Sequence, residues 1–220
     1  MPILPLVASL VAAAVALPPA PAHADTLKLF AEAHGGAMFG RGLAGDLVSG
    51  STATTTPAAF FEGAPAGTYG ALVGAQFLFL AAEIQHHQYT NGDQLATWTQ
   101  LGAGMRFEIP VGDASSADRR AGKGSYFEVG LGLFFGLGTG RQVTPPLSND
   151  EITDKGFQLQ GRLGFGKHLT KLLDLGVTVP VSAGYFFKNG GGAVANDTST
   201  HYQSVQGEVL LVVRANIGLL

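Results

Sequence analysis

The chain of 220 residues is long enough for one barrel or for one soluble domain with a sizeable core. Its net charge of −3 argues against the basic surface that nucleic-acid binding requires, and the absence of cysteine excludes a disulfide scaffold and a thiolate metal site. Charged residues make up 13 % of the chain, about half of the roughly 25 % found in soluble domains, so we expect something other than water to cover much of its surface.

The first 24 residues have the pattern of a secretory signal peptide. A largely apolar run spans residues 3–17, three prolines follow, and Ala22-His23-Ala24 forms a small-x-small cleavage signature. The apolar run is too short for a comfortable membrane helix. We therefore predict a signal peptide at 1–24 and a mature barrel domain at 25–220, with an uncleaved N-terminal anchor as the alternative.

Eight later segments alternate apolar and polar residues, as β-strands with one apolar face do. The first, at about 27–39, is followed by a long segment rich in Gly, Thr, Ser and Ala. The second and third, at about 68–77 and 80–90, are joined by a tight reversal near Leu78. Asn91-Gly92-Asp93 is then a strong turn signal before the fourth strand, at about 96–109.

The second half of the chain continues this pattern. A charged link precedes the fifth strand, at about 126–137, and the sixth and seventh follow at about 157–166 and 175–187. Pro180 forfeits a ladder hydrogen bond, which predicts a bulge or another irregularity in the seventh strand. The last strand, at about 205–219, is the clearest, because one row is entirely non-polar whereas the other carries Glu208 and Arg214.

The strand lengths and connections favour a barrel that crosses a membrane. Each strand is near the ~9–11 residues that a tilted strand needs to span a bilayer. The connections after the first, fifth and seventh strands are long, whereas those after the second and sixth are short. Two connections are exceptions, since the charged link at 111–124 is long for a turn and the reversal at Asn91-Gly92-Asp93 is short for an external loop. Long loops on one side and short turns on the other are typical of outer-membrane barrels, and closure leaves no unpaired sheet edge in lipid.

The polar rows decide which face points inward. They are rich in Gly, poor in Lys and carry both signs of charge, which suits a narrow lumen better than a water-covered exterior. An eight-stranded barrel is just wide enough for its side chains to fill it, and buried charges must pair there. We therefore predict an internal network that plugs the lumen, made of Glu32, Glu83, Arg106, Glu108, Glu128, Arg162, Glu208 and Arg214. A soluble, lipocalin-like barrel with the apolar row inside is the alternative.

Many aromatic residues lie near the predicted strand ends. Interfacial girdles of a membrane barrel would explain their positions, as would ordinary strand packing. They are Tyr69, Phe77, Trp98, Phe127, Phe135, Phe157, Phe165, Tyr185 and Tyr202.

Taken together, the signal peptide, the eight amphipathic strands and the Gly-rich polar rows resemble the small OmpA/OmpX-type outer-membrane β-barrel proteins of Gram-negative bacteria. The resemblance covers roughly residues 27–220 and implies an all-β, antiparallel, up-and-down transmembrane barrel. It also implies an outer-membrane location, with membrane lipid and lipopolysaccharide as surroundings. We expect a monomer, with the external loops as the place where a surface partner would bind.

Candidate catalytic and ligand-binding residues are few. The lipid A deacylases resemble this barrel class and need a Ser two positions after the His, but Gln88 follows His86 and Tyr89 follows His87 at that spacing. A metal role for His86, His87 and His201 is no better supported, since rim histidines are usually solvated. Gly138-Thr139-Gly140 and Gly190-Gly191-Gly192 lack the Lys-Ser/Thr of a phosphate-binding loop. We therefore predict no catalytic residue, cofactor or metal.

Four functions remain from the sequence. The first is a non-enzymatic outer-membrane barrel with a structural or surface-interaction role. The second is a narrow ion or solute channel, in which pairs of the Glu/Arg network would exchange to open a pore. The third is a lipid-modifying outer-membrane enzyme, and the fourth is a soluble secreted binder of an apolar ligand.

Overall fold

The computed structural model describes residues 27–44, 65–90, 94–112, 123–142, 152–188 and 201–219. The predicted signal peptide lies outside these residues. The described chain forms eight strands: β1 (Leu27–Ala44), β2 (Ala66–Phe77), β3 (Leu80–Thr90), β4 (Gln94–Val111), β5 (Ser125–Gln142), β6 (Ile152–His168), β7 (Leu173–Lys188) and β8 (His201–Gly218). Over the same residues, no helix has the length and apolarity needed to span a membrane.

The strands form a closed, antiparallel, up-and-down barrel. Each strand pairs with the next in the chain, and β8 pairs with β1 to complete the ring. The predicted fold class is therefore confirmed. The turns after β2, β4 and β6 lie at one end together with both described termini, where Leu219 N donates to Leu27 O at 2.9 Å. We call this the turn end and the opposite one the loop end.

Several strands are longer than the sequence predicts, mainly toward the loop end. β5 continues to Gln142, where Gly138 and Thr139 still pair with Trp98 and Thr97 of β4. The alternation signal comes from the apolar outward row, and it fades where that row becomes polar or glycine-rich. Backbone pairing continues beyond that point because hydrogen bonds between strands do not depend on side-chain polarity.

The strand register staggers the barrel. The path of paired residues that starts at Leu27 passes through Met105 and Val181 and returns to β1 at Phe39, twelve residues farther along. Such a stagger requires strands that are tilted relative to the barrel axis. Inward side chains from distant strands, such as Glu32 of β1 and Arg162 of β6, therefore meet in the lumen without being register partners.

The apolar rows face outward. Leu101, Leu133 and Leu211 are 60 %, 59 % and 59 % exposed, whereas Glu128 and Arg214 are 0 % and 1 % exposed. A soluble barrel would show the reverse arrangement, with charge outside and leucines inside. This inversion excludes the lipocalin-like alternative and gives the chain the architecture of a small transmembrane barrel.

Outward aromatic side chains group toward both ends of the barrel. Phe79 and Phe107 stack at the turn end with ring centroids 5.7 Å apart, and Phe127 and Phe165 are register partners beside them. The group toward the loop end comprises Phe135, Phe157, Tyr185 and Phe187. Trp98 was predicted with these girdles, but it points into the lumen and is buried, because it belongs to the polar row of β4. The side chain of Tyr202 lies outside the described part.

Two local irregularities mark the backbone. Leu78, in the predicted tight reversal between β2 and β3, has a φ of 55°. At Pro180 the β7–β8 pairing lapses over two residues, between Thr178 paired with Leu210 and Val181 paired with Gly207. The register is the same on both sides, so the predicted irregularity is an interruption without a bulge. Proline has no N–H to donate to the ladder, which accounts for it.

Candidate functional site: the barrel lumen

The inward rows of the eight strands stack side chains in layers from the turn end to the loop end. The charge cluster is the layer made of Glu32, Glu83, Arg106, Glu128, Arg162 and Arg214. Above it lies the amide layer of Gln85, Gln100, Gln158 and Gln160, beside the histidine pair of His34 and His87. The group that we call the lid lies toward the loop end and consists of Met38, Ala66, Tyr89, Ala96, Trp98 and Phe186.

Two glutamates each contact all three arginines of the charge cluster. Glu32 lies 3.4 Å from Arg106, 2.5 Å from Arg162 and 3.0 Å from Arg214. Glu128 lies 3.0 Å, 2.7 Å and 2.6 Å from the same three side chains. All five residues are buried. An isolated buried charge costs several kcal/mol, whereas this sharing gives each guanidinium two or more carboxylate partners.

The edges of the charge cluster are also paired. Arg106 contacts Glu83 at 3.2 Å, and its guanidinium lies 4.6 Å from the centre of the Phe30 ring. Toward the turn end, Glu108 bridges Lys28 at 2.8 Å and Arg214 at 3.3 Å. A small cavity beside Arg106 and Arg162 has space for water-sized ligands only. Each charged side chain of the cluster therefore has at least one partner of opposite charge.

The amide layer connects the charge cluster to the lid through side-chain hydrogen bonds. Gln85 donates to Glu83 of the charge cluster at 2.8 Å and accepts from Gln100 at 2.6 Å. Gln100 in turn accepts from the Trp98 indole at 2.8 Å and from Gln158. One continuous set of polar contacts thus reaches from the arginines to the only tryptophan of the chain.

The lid is held by close packing against glycine. Trp98 meets Phe186 edge-on with centroids 5.1 Å apart, and its indole lies directly on the backbone of Gly136 and Gly138. A Cβ atom at either glycine would overlap the indole ring. The Gly-rich polar row of β5 therefore makes room for the Trp98 indole within the lid.

Substitution of Gly136 by alanine should displace Trp98 and lower the free energy of unfolding by about 1–3 kcal/mol, as overpacking does. Gly130→Ala is the matched control, since Gly130 is also inward on β5 but its nearest neighbours would be in ordinary contact with a Cβ, at 3.4 and 3.5 Å. We expect Gly130→Ala to change stability by less than about 1 kcal/mol. Urea titration of both variants checks this, and equal losses would contradict the packing explanation.

The structure brings seven of the eight predicted network residues into one connected group. Glu208 does not contact the arginines. It lies higher in the lumen, where Thr68 and Tyr89 donate to it at 3.3 and 3.2 Å and His87 approaches to 3.6 Å. Its partners are histidine and hydroxyl groups because the inward positions of the neighbouring strands at that height carry no arginine.

Sequence reasoning missed two groups of lumen residues. Alternation places His34 and His87 in the polar rows, His87 together with Glu83 and Gln85. The interpretation of His87 as a solvated rim residue nevertheless missed that the two rings face each other inside the barrel. At the turn end Asp174 contacts a second group, accepting from His168, Asn216 and Tyr126 at 2.7, 2.6 and 3.4 Å.

The residues weighed for enzyme or metal chemistry lie apart from the lumen groups. His86 points outward and is 2.8 Å from Thr99 Oγ1, and Gln88 accepts from Tyr69 on the same outer face. Gly138-Thr139-Gly140 is part of strand β5 rather than a loop, and residues 190–192 lie outside the described part. In the described ranges, no three potential ligands among His, Asp and Glu are placed to hold a metal ion.

No protein-family model and no curated protein matches the chain. Among solved structures it is similar to Neisserial surface protein A, with 11 % identity, a TM-score of 0.49, and coverage of 86 % of this chain and 96 % of that one. It is also similar to the N-terminal β-barrel domain of OprF from Pseudomonas aeruginosa, with 15 % identity, a TM-score of 0.45, and coverage of 86 % of this chain and 97 % of that one. The outer membrane protein OprG from the same organism is similar too, with 12 % identity, a TM-score of 0.45, and coverage of 90 % of this chain and 98 % of that one.

Proposed function

We propose that the chain is a non-enzymatic outer-membrane barrel protein of a Gram-negative bacterium, whose sealed body anchors external loops that bind a surface partner. The observation that carries this proposal is the inversion of polarity across the barrel wall. Leucines near mid-strand are among the most exposed side chains, whereas all six acidic side chains of the described part that have a defined environment line the lumen. An outer wall of exposed leucines around a charged lumen is stable only where that wall contacts acyl chains.

The lumen supports an anchoring role better than a transport role. A solute would have to displace the charge cluster, in which Glu32 and Glu128 each bind three arginines, and then the packed lid above it. Breaking one buried ion pair alone costs about 3–5 kcal/mol. The connections at the loop end include residues 45–65, the longest connection between strands, and residues 189–200, and connections of this kind are the natural place for surface contacts.

Membrane fractionation combined with gel migration before and after boiling tests the location. We expect the protein in the outer-membrane fraction, released only by detergent, with a band that shifts on boiling as folded membrane barrels do. Release without detergent would contradict the membrane assignment.

Conductance of the purified protein in planar bilayers tests the sealed lumen. We expect no steady, discrete openings at neutral pH, because the charge cluster and the lid occupy the cross-section. Steady openings would instead favour the narrow channel. Loss of a lipid A acyl chain in cells that express the protein would favour a lipid-modifying enzyme.

A further inference from the structure

Two histidines face each other in the middle of the lumen. His34 of β1 and His87 of β3 are both buried, with His34 Nε2 3.3 Å from His87 Nδ1 and ring centroids 4.7 Å apart. This distance fits a single N–H···N hydrogen bond, which needs one ring nitrogen to donate and the other to accept. The pair belongs to neither the charge cluster nor the lid and has no part in the function proposed above.

The groups around the pair are few. On the β1 side, Glu32 lies 3.9 Å from His34 Nδ1, a nitrogen that has no hydrogen-bond partner, and Arg162 of β6 also acts electrostatically on this ring. On the β8 side, Glu208 lies 3.6 Å from His87 Nδ1. Of the uncharged polar groups, Gln85 and Tyr89 of β3 contact His87 directly, whereas Thr68 of β2 and Gln206 of β8 donate to Glu208.

While the two rings stay in contact, the pair can hold one added proton but not two. A single imidazolium would keep the bond to its neutral partner and would face the Glu208 carboxylate. When both rings are protonated, both facing nitrogens are donors and both rings carry positive charge at 3.3 Å. The nearest carboxylate on the His34 side, Glu32, is already shared among three arginines and offers little compensation.

Contacts lead from the pair directly to the lid. His87 stacks on Tyr89, a lid residue, with centroids 5.9 Å apart and rings nearly parallel. His87 Nε2 also lies 3.3 Å from Gln85 Oε1. The same oxygen accepts a hydrogen bond from Gln100, and Gln100 in turn accepts one from the Trp98 indole. A movement of His87 therefore disturbs the lid from two sides.

We propose that His34 and His87 form a proton-operated latch beneath the lid. At neutral pH the N–H···N bond holds β1 and β3 side chains together and the lid is closed. Acidification puts a proton on each ring, the two rings separate, and the lid loosens through Tyr89 and through Gln85 and Gln100. The ligand of this site is the proton.

The single tryptophan of the chain reports on the lid without labelling. The experiment measures quenching of Trp98 fluorescence by acrylamide in the full protein in detergent micelles, from about pH 8 to about pH 3, a range that extends well below the protonation of an ordinary histidine. We expect quenching to increase several-fold at the acidic end and to reverse on neutralisation. Quenching that stays constant over this range would overturn the proposal.

Matched histidine variants separate the latch from other acid effects. His34→Gln keeps a neutral hydrogen-bonding side chain and should abolish the acid-induced increase. His86→Gln, the adjacent but outward histidine, and His168→Gln, in the lumen near the turn end, should leave it unchanged. If the increase persists in His34→Gln, protonation of the carboxylates causes it and the latch is refuted.

A measurement on the unmodified protein covers the case in which His34→Gln does not fold. Imidazole NMR spectra recorded over the same pH range should show His34 and His87 taking up protons in two separate steps, each sensed by the other ring. Independent, simultaneous protonation of the two rings would overturn the proposal. These outcomes do not depend on whether the external loops bind a partner.

Discussion

Replacing Glu128 by glutamine should lower the free energy of unfolding by about 3–5 kcal/mol, the cost of removing one partner of a buried ion pair. Glutamine keeps the size of the side chain but removes the charge that lies within 3.0 Å of Arg106, Arg162 and Arg214. Three buried guanidinium groups would then share only Glu32 and Glu83, together with Glu108, which of the three arginines contacts Arg214 alone, at 3.3 Å. Reversible urea unfolding in lipid vesicles measures the loss.

Glu108→Gln is the matched control for this substitution. Glu108 also binds an arginine and a lysine, but its side chain is partly exposed at the turn end, where solvent replaces lost partners. We expect a loss of about 1 kcal/mol or less. Similar losses in Glu128→Gln and Glu108→Gln would contradict the view that burial sets the importance of the charge cluster.

A double variant tests whether charge balance is the cause. Arg106→Met removes one positive charge and keeps an apolar side chain against Phe30. In the background of Glu128→Gln it should restore part of the lost stability, because the cluster then holds two arginines and two glutamates. Glu83 loses its arginine partner but keeps the hydrogen bond from Gln85. If the stability losses of the two single variants simply add in the double variant, each residue acts through packing alone, since coupled charges give non-additive changes.

The fold was predictable because lipid imposes a strict two-residue period. A strand that crosses the membrane must present an apolar row outward, as Val209, Leu211 and Val213 of β8 do. Where the rows leave the apolar region this constraint ends, and the predicted ends of β1, β5 and β6 fell short of the observed ones. The β1–β8 pairing could be expected, because without it both strands would leave unpaired backbone hydrogen-bonding groups at an edge. The twelve-residue stagger of the barrel cannot be inferred from the sequence of either strand alone.

The lumen was predictable in composition but not in pairing. Alternation places Glu32, Glu128 and Arg214 inside, and neutrality requires that they pair. Which glutamate meets which arginine depends on the stagger, which brings β1, β5 and β8 side chains to one height and leaves Glu208 above them with His87. The lid was missed because the position of Trp98 near a strand end resembles that of an interfacial aromatic residue. Only the structure shows that its ring packs on the backbone of Gly136 and Gly138, which have no side chains to exclude it.

Leu101→Arg should lower the free energy of unfolding in bilayers by about 2–4 kcal/mol, the cost of an arginine on the lipid face near the membrane midplane. Leu101 lies near the middle of β4, between Ile84 and Phe135 in register, and is 60 % exposed. On a soluble protein, a substitution at so exposed a position would change stability by only about 0.5 kcal/mol in either direction.

Leu172→Arg provides a control of equal exposure. Leu172 is also 60 % exposed, but it lies in the turn between β6 and β7, where the barrel leaves the apolar band. Because the depth-dependent cost falls to about 0–1 kcal/mol near the interface, we expect Leu172→Arg to be nearly neutral. Residue type, accessible fraction and introduced charge are the same in the two variants, so any difference between them reports the environment outside the wall. Equal stabilities in urea titration would mean that water, rather than hydrocarbon, surrounds the middle of the barrel.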